Sequence, residues 1–210
     1  MKRSIYSKVF AAIILFGFPF GFYYYYKGKI DALPKKSEKI QSYWAAPAFK
    51  YETHNGDTLS SDSLKGKIYV ADFIFTNCNG VCPNLSKTMA QLQETFKNNS
   101  EVKFVTFSVD PERDSISVLK NYAANYGAVR GKWYFLRGDK ETVWKMAEDG
   151  FKVPVVYTPE GGKGSEFTHT PRMILVDDKG MIRGFYNGTE KDECDSLNNN
   201  LAMLLVGLRK

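Results

Sequence analysis

The side chains best suited to redox or metal chemistry are few in this chain of 210 residues: three cysteines, Cys78, Cys82 and Cys194, and two histidines, His54 and His169. Two of the cysteines stand close together, where a predicted buried strand ends and a predicted helix begins. The unpaired backbone N–H groups of a helix N-terminus stabilise an anion and lower the pKa of a nearby thiol. The spacing therefore predicts a pair of thiolates at one place in the fold.

A structural disulfide between Cys78 and Cys82 would stabilise the fold very little. Closing a loop of about five residues removes only ~2 kcal/mol of unfolded-chain entropy, against almost 5 kcal/mol for a loop of roughly 100 residues. Helical positions four apart hold their Cβ atoms about 5 to 6 Å apart, whereas a disulfide requires roughly 3.5 to 4.5 Å. Two sulfurs that each bind a metal at ~2.3 Å span the wider gap more easily. Because the loop before Pro83 can relax, we expect the pair to alternate between a metal-bound and an oxidised form.

The choice of metal depends on ligand softness and on ligand count. Two thiolates suit Cu(I) or zinc, but a closed structural zinc site takes four ligands. Further ligands are scarce, because Cys194 is typical of a small buried apolar residue and His54, in a predicted Asn-Gly turn, is typical of a solvated histidine. Copper accepts two or three ligands. His169 is then the candidate third ligand, although an isolated histidine is more often a surface residue or a satisfied core residue.

Hydrophobic periodicity predicts an α/β fold in which strands alternate with helices. The folded domain is expected to open with a hairpin over 48–60, because Asn-Gly-Asp lies between two short apolar or β-branched runs. Further strands are predicted over 68–76, 102–109 and 133–136. One helix is predicted to begin at Pro83, and three others are predicted over 115–126, 140–148 and 192–208. A second hairpin is predicted over 173–186. The glycine-rich stretch 161–164 lacks the P-loop pattern and is predicted to be a flexible loop. This order predicts a mixed sheet in an α/β sandwich.

Four short motifs carry a resemblance to a known family. They are Phe75-Thr76-x-Cys78-x-x-x-Cys82-Pro83, Ser108-Val109-Asp110-Pro111-Glu112-Arg113-Asp114, His169-Thr170 and Asp177-Asp178-Lys179-Gly180. In this order they resemble the Sco/SenC family of membrane-anchored copper proteins that serve cytochrome c oxidase assembly. The similarity covers about residues 45–208, and the two longer motifs with a downstream histidine are highly specific.

The resemblance implies a thioredoxin-like fold in which Cys78, Cys82 and His169 bind one copper ion, as Cu(I) or Cu(II). The copper would be delivered to the binuclear site of cytochrome c oxidase subunit II. A dithiol-disulfide role toward that partner's cysteines is implied as well. A copper metallochaperone is therefore the first hypothesis, a membrane-anchored thiol-disulfide oxidoreductase is the second, and a copper-responsive sensor is the third.

The chain departs from the family pattern at two places. Asn79-Gly80 stands where the family often has Pro-Asp, and Thr168 stands where an aspartate usually precedes the histidine. Loss of that carboxylate is expected to weaken control of the imidazole. Pro171, directly before a predicted strand, is a thioredoxin-like trait and favours redox work. Asp110 matches a family position near the site, but it also suits a turn or a cap before a helix.

The N-terminal region differs in composition from the rest. Residues 1–39 hold eight basic and two acidic side chains, which account for the whole net charge of +6. The folded part should then be neutral, and a nucleic-acid binder loses its main support. Residues 9–26 carry no charged side chain, and as a helix they would span roughly 27 Å, close to the ~30 Å of a hydrocarbon core. We predict a retained membrane anchor over 1–30, a linker over 31–45 and a thioredoxin-like copper-binding domain over 46–210.

A soft-metal dithiol on a single membrane anchor suits an oxidising compartment. For the resembled family this means the periplasmic side of a bacterial inner membrane or the mitochondrial intermembrane space. The short basic N-terminus, without a long presequence rich in arginine and serine, favours a single-pass protein of the bacterial inner membrane with its domain in the periplasm.

Overall fold

The computed structural model describes residues 17–31, 40–157, 167–169 and 171–208. The chain divides into two units, Met1–Lys39 and Ile40–Lys210. Helix α1, Phe18–Asp31, belongs to the first unit. In the part of the chain that the structure describes, no helix has both the length and the apolar character needed to cross a lipid bilayer. The predicted anchor and the predicted linker lie partly outside the described residues.

The second unit contains a seven-stranded mixed sheet and a separate pair of short strands. The strands are β1 (Lys50–Thr53), β2 (Thr58–Ser60), β3 (Ile68–Ile74), β4 (Val102–Ser108), β5 (Trp133–Arg137), β6 (Val155–Tyr157), β7 (Phe167–His169), β8 (Arg172–Val176) and β9 (Ile182–Asn187). The helices are α2 (Cys82–Thr95), α3 (Ile116–Asn125), α4 (Lys140–Lys145) and α5 (Lys191–Leu208). The large sheet has the order β2-β1-β5-β4-β3-β8-β9, and β6 pairs with β7.

The central strands are buried between side chains on both faces of the sheet. All seven residues of β3 are buried, which is typical of a strand covered on both sides. Helices α2 and α3 are joined by a hydrogen bond of 3.0 Å between the hydroxyls of Ser86 and Tyr122. The rings of Phe73 and Phe107, from neighbouring strands, pack against Phe151 at centroid distances of 5.6 and 6.0 Å. The aromatic core therefore fixes the positions of β3 and β4.

The topology brings several chain segments to one edge of the sheet. Strands β3, β4 and β5 are parallel, so their carboxyl ends lie together. Strand β8 is antiparallel to β3, with Ala71 opposite Ile174, so its first residues lie at the same edge. Ligands of open α/β sheets bind outside the carboxyl ends of the strands. A site that combines the loop after β3 with the segment before β8 must therefore lie at this edge.

The predicted order of strands and helices is confirmed, including the opening hairpin, in which β1 pairs antiparallel with β2. Two features differ from the prediction. Strands β6 and β7 pair on either side of the glycine-rich stretch, where only a loop is predicted, because strands of three residues are too short to show a hydrophobic period. Helix α4 continues as a π-helix, Met146–Gly150. The stretch 161–164 itself lies outside the described residues.

Candidate metal centre

The loop between β3 and α2 carries both predicted sulfur ligands. Cys78 lies in the loop and is half-buried, whereas Cys82 begins α2 and is fully buried. The Cys78 N–H donates to the Phe75 carbonyl at 3.3 Å, and the Gly80 N–H donates to the Cys78 sulfur at 3.4 Å. Pro83 suits the first helical turn, where its missing N–H would have no intrahelical partner. The loop thus leaves one cysteine partly accessible and encloses the other.

The two cysteines are not joined in a disulfide, and their side chains are hydrogen-bonded to each other. Burial raises the pKa of Cys82, and the neighbouring Cys78 thiol and the Asp72 carboxylate raise this pKa further. The prediction of a thiolate pair is therefore wrong for Cys82, because lost hydration outweighs the field of the helix terminus. A soft metal ion that binds Cys82 must displace its proton.

Asp72 is a buried carboxylate of β3 whose charge acts on Cys82. The Thr106 hydroxyl donates to Asp72 Oδ1 at 2.6 Å and accepts from Trp133 Nε1 at 2.9 Å. These contacts run across three neighbouring strands. They fix the Asp72 carboxyl in the core near the inner thiol, where it raises the pKa of Cys82 and favours the neutral thiol until a cation binds.

Asp110 lies in the turn that follows β4. Its side chain is buried and pairs with Arg113, and its carbonyl oxygen accepts the N–H groups of Arg113 and Asp114 at 3.2 and 2.9 Å. The cap of α3 is Ser115, whose hydroxyl oxygen accepts the Val118 N–H at 3.4 Å. Of the two structural roles expected for Asp110, the turn is confirmed and the helix cap is wrong.

The carboxylate that contacts the start of the cysteine loop is that of Asp114. It is fully buried and accepts hydrogen bonds from the Thr76 N–H at 3.2 Å and from the hydroxyls of Thr76 and Ser108, each at 2.5 Å. Burial raises the pKa of Asp114, and these hydrogen bonds oppose that rise. Sequence reasoning missed this contact, because the motif contains two aspartates and nothing in its spacing distinguishes their partners.

His169 is the last residue of β7 and lies opposite Val155 of β6. Its side chain is outside the described part of the structure, so its role as the third ligand stays a prediction. Beyond β7 the chain continues to Pro171, whose carbonyl oxygen accepts the Gly188 N–H at 2.7 Å, and then enters β8. The peptide bond before Pro171 also lies outside the described residues. His169 therefore precedes by three residues the start of β8, which lies at the sheet edge where β3 ends.

The hairpin of β6 and β7 is attached at its base by contacts that involve side chains. The Val155 N–H donates to Glu148 Oε1 at 3.4 Å. The Arg172 guanidinium donates to the Lys152 carbonyl at 3.2 Å and lies over the Phe185 ring, 5.4 Å from its centroid. These contacts connect the hairpin to the π-helix and to β8.

A cluster of three metal-ligating side chains is not found among the described residues, which include both cysteines of the loop but not the imidazole of His169. The described part of the predicted centre is thus its pair of sulfurs.

A family model described as SCO1/SenC matches residues 37–204 of the chain. The chain belongs to the SCO1/SenC family. The SCO1 protein homolog of Bacillus subtilis is 37% identical over 151 residues, which cover 71% of this chain and 77% of that protein. This SCO1/SenC protein is also similar to the structure of BsSco, described as a member of the Sco family of cytochrome c oxidase assembly proteins in which a disulfide switch was identified. The TM-score is 0.68 at 30% identity, with 81% of this chain and 98% of that chain covered.

The fold is shared with more distant structures. ScoI of Bradyrhizobium japonicum, solved with copper bound, matches with a TM-score of 0.65 at 24% identity, covering 76% of this chain and 99% of that chain. The mixed sheet of this SCO1/SenC protein is therefore the thioredoxin-like fold of Sco structures, as the resemblance implied.

Two further candidate side chains of this SCO1/SenC protein have surroundings of their own. His54 is buried, its Nδ1 accepts the Phe135 N–H at 3.1 Å, and burial lowers its pKa. The prediction of a solvated histidine is wrong, because the ring joins the first hairpin to β5. Cys194 is half-buried rather than fully buried, with its sulfur 3.7 Å from the Asn187 carbonyl oxygen, and burial raises its pKa.

Proposed function

We propose that this protein is a copper metallochaperone in which Cys78, Cys82 and His169 bind one copper ion for delivery to subunit II of cytochrome c oxidase. The observation that carries the proposal is the pair of contacting thiols at the carboxyl edge of the sheet, in a member of the SCO1/SenC family. Thiolate sulfur is a soft ligand that suits copper. The copper-bound structure of the Bradyrhizobium protein adds support for the metal.

Copper release would proceed by ligand exchange with the thiolates of the partner. Cys78 is the accessible ligand, so an incoming thiolate replaces it first and Cys82 second. Two thiolates and a neutral imidazole around Cu(I) carry one net negative charge. Because burial favours the neutral thiol at Cys82, a proton returns to that sulfur as copper leaves. Burial of Cys82 thus helps the protein to release copper as well as to retain it.

We further propose that the protein is anchored in a bacterial inner membrane with its domain in the periplasm. The uncharged stretch 9–26 and its basic flanks support an anchor. Helix α1 exposes Phe20, Phe22 and the tyrosines 23–26, and such rings suit the interface between hydrocarbon and water. Proteolysis of intact spheroplasts tests the orientation, and a domain protected until lysis would contradict it.

Copper titration of the purified full-length protein in detergent tests the metal. We expect one copper ion per chain and a thiolate-to-Cu(II) charge-transfer band. Binding by His169→Ala with wild-type affinity for both oxidation states would contradict the third ligand. A wild-type protein that binds no copper would contradict the whole proposal.

A thiol-disulfide oxidoreductase is the second candidate function, and the direct contact between the two thiols favours it. The Cys78 thiolate would attack a partner disulfide, and Cys82 would then resolve the mixed disulfide. Two thiols of this protein are oxidised to one disulfide while the partner disulfide is reduced to two thiols. Reductase activity that survives His169→Ala and is lost in Cys82→Ser would support this function.

A further inference from the structure

The carboxylate of Asp114 joins the ends of two central strands next to the cysteine loop. Thr76 is the second residue beyond β3, and its N–H lies 3.2 and 3.3 Å from the two oxygens of Asp114. Its hydroxyl donates to the same carboxylate, and so does that of Ser108, the last residue of β4. One fully buried side chain therefore accepts hydrogen bonds from both strand ends.

Thr76 is the point at which the chain leaves the sheet and turns toward Cys78. At that turn the Cys78 N–H donates to the Phe75 carbonyl at 3.3 Å. Without Asp114, the N–H and hydroxyl of the half-buried Thr76 would lose their acceptor, and such a loss costs up to about 1–3 kcal/mol, the range for a fully buried group. The start of the loop would then move to find other partners, and Cys78 would move with it.

We propose that Asp114 is a positioning residue that sets the distance between the sulfurs of Cys78 and Cys82, and thereby the copper affinity of the pair. The inference rests on the proposed copper function. Cys82 is held mainly by other contacts, because it begins α2 and is enclosed by the core, although its sulfur also accepts a hydrogen bond from the Phe75 backbone. The outer sulfur therefore depends more on the loop start than the inner one, so disturbing Asp114 moves Cys78 relative to Cys82.

Asp177 provides a matched control within the same fold. It is also a buried aspartate that holds a turn, since Oδ1 accepts the N–H groups of Lys179 and Met181, each at 2.9 Å. Its turn joins β8 to β9, at the sheet edge opposite the cysteine loop. A variant at Asp177 therefore reports the general cost of removing a buried carboxylate.

The test compares the full-length variants Asp114→Asn and Asp177→Asn. Each is measured for copper affinity by competition with a chelator, for the thiolate-to-Cu(II) absorption band, and for thermal unfolding. We expect Asp114→Asn to weaken copper binding about 10-fold to 100-fold, as for other groups that orient metal ligands, and to shift the band. Asp177→Asn should lower the unfolding temperature and leave both copper readouts at wild-type values.

A second pair of variants keeps the test decisive if Asp114→Asn does not fold. Thr76→Val removes one donor to Asp114, and Thr76→Ser retains it. We expect a smaller loss of copper affinity in Thr76→Val and its recovery in Thr76→Ser. The positioning role would be overturned if Asp114→Asn kept wild-type copper affinity and an unshifted band. If only Thr76→Val folds, the same result in that variant would overturn it. Either result would leave the metallochaperone proposal intact. Failure of the wild-type protein to bind copper would overturn both.

Discussion

The cysteine loop and the β6–β7 hairpin supply the proposed copper ligands in different ways. The loop starts from the large sheet and is held by Asp114 on one side and by helix α2 on the other. The hairpin that carries His169 is a separate two-stranded sheet, attached through Glu148 and Arg172. The sulfur pair is thus part of the core, whereas the histidine belongs to an addition at its edge.

This difference assigns separate tasks to the two regions. Cys82 is enclosed by the core and Cys78 packs against it, so we expect the dithiol to be oxidised, reduced or metallated with little change elsewhere. If His169 is the third ligand, as we propose, we expect it to join or leave the metal without disturbing the sulfurs. The contrast predicts that changes in the loop affect both copper and redox chemistry, while changes in the hairpin affect copper alone.

The largest effect is expected from replacing either cysteine of the loop. In Cys78→Ser and Cys82→Ser we expect copper affinity to fall by more than the roughly 100-fold that loss of a contact around a metal ligand can cause, because a ligand itself is removed. Competition titrations measure the loss. Cys194→Ser is the control, since that cysteine lies at the start of α5 near Asn187. Equal losses in all three variants would mean that the sulfurs act through stability and not as ligands.

The next largest effect is expected from His169→Ala, which changes the β6–β7 hairpin and leaves the cysteine loop as it is. Cu(II) affinity should fall at least about tenfold, since the variant removes a proposed ligand and not merely a group around one. The equilibrium constant for dithiol oxidation by glutathione should stay unchanged, because the sulfurs are held by the loop and by α2. A parallel change in that constant would show that the hairpin also controls the dithiol and would remove the contrast.

The elements that position the dithiol could be predicted from sequence because their signals are local. The apolar run of β3 and the spacing of Leu85, Met89 and Leu92 in α2 follow directly from burial, and the strand-loop-helix order places Cys78 and Cys82 at a strand end. These features depend on neighbours a few residues apart.

Features that depend on distant partners could not be predicted. His54 is buried because its ring accepts an N–H from Phe135, 81 positions away in the sequence. Asp114 reaches Thr76 across 38 positions. The high pKa of Cys82 likewise depends on how the core encloses it, which the helix-terminus argument did not include. Long-range packing thus decided the chemical state of these side chains.

A smaller effect is expected at the base of the hairpin. Arg172→Met removes the hydrogen bond to the Lys152 carbonyl, and Glu148→Ala removes the acceptor for the Val155 N–H. Each should weaken Cu(II) binding less than about tenfold, because a single hydrogen bond contributes only ~0.5–1.5 kcal/mol. Glu148→Gln keeps the acceptor and serves as the control. If Glu148→Ala and Glu148→Gln bind copper equally well, the hydrogen bond to Val155 does not position the histidine.

The smallest effect concerns the opening hairpin, β1–β2, which forms one end of the large sheet and contacts β5 through buried His54. Since burial lowers the pKa of His54 in the folded state, the unfolded chain binds more protons than the folded chain between that lowered pKa and the ordinary value of about 6.5. The free energy of unfolding should therefore fall as the pH drops below about 6.5, and this contribution should stop changing below the folded-state pKa.

His54→Asn keeps an acceptor near the Nδ1 position but does not titrate. Urea unfolding at pH 7.5 and pH 5.5 should show a smaller decrease on acidification in His54→Asn than in the wild-type protein. Identical decreases would mean that groups other than His54 cause the acid sensitivity.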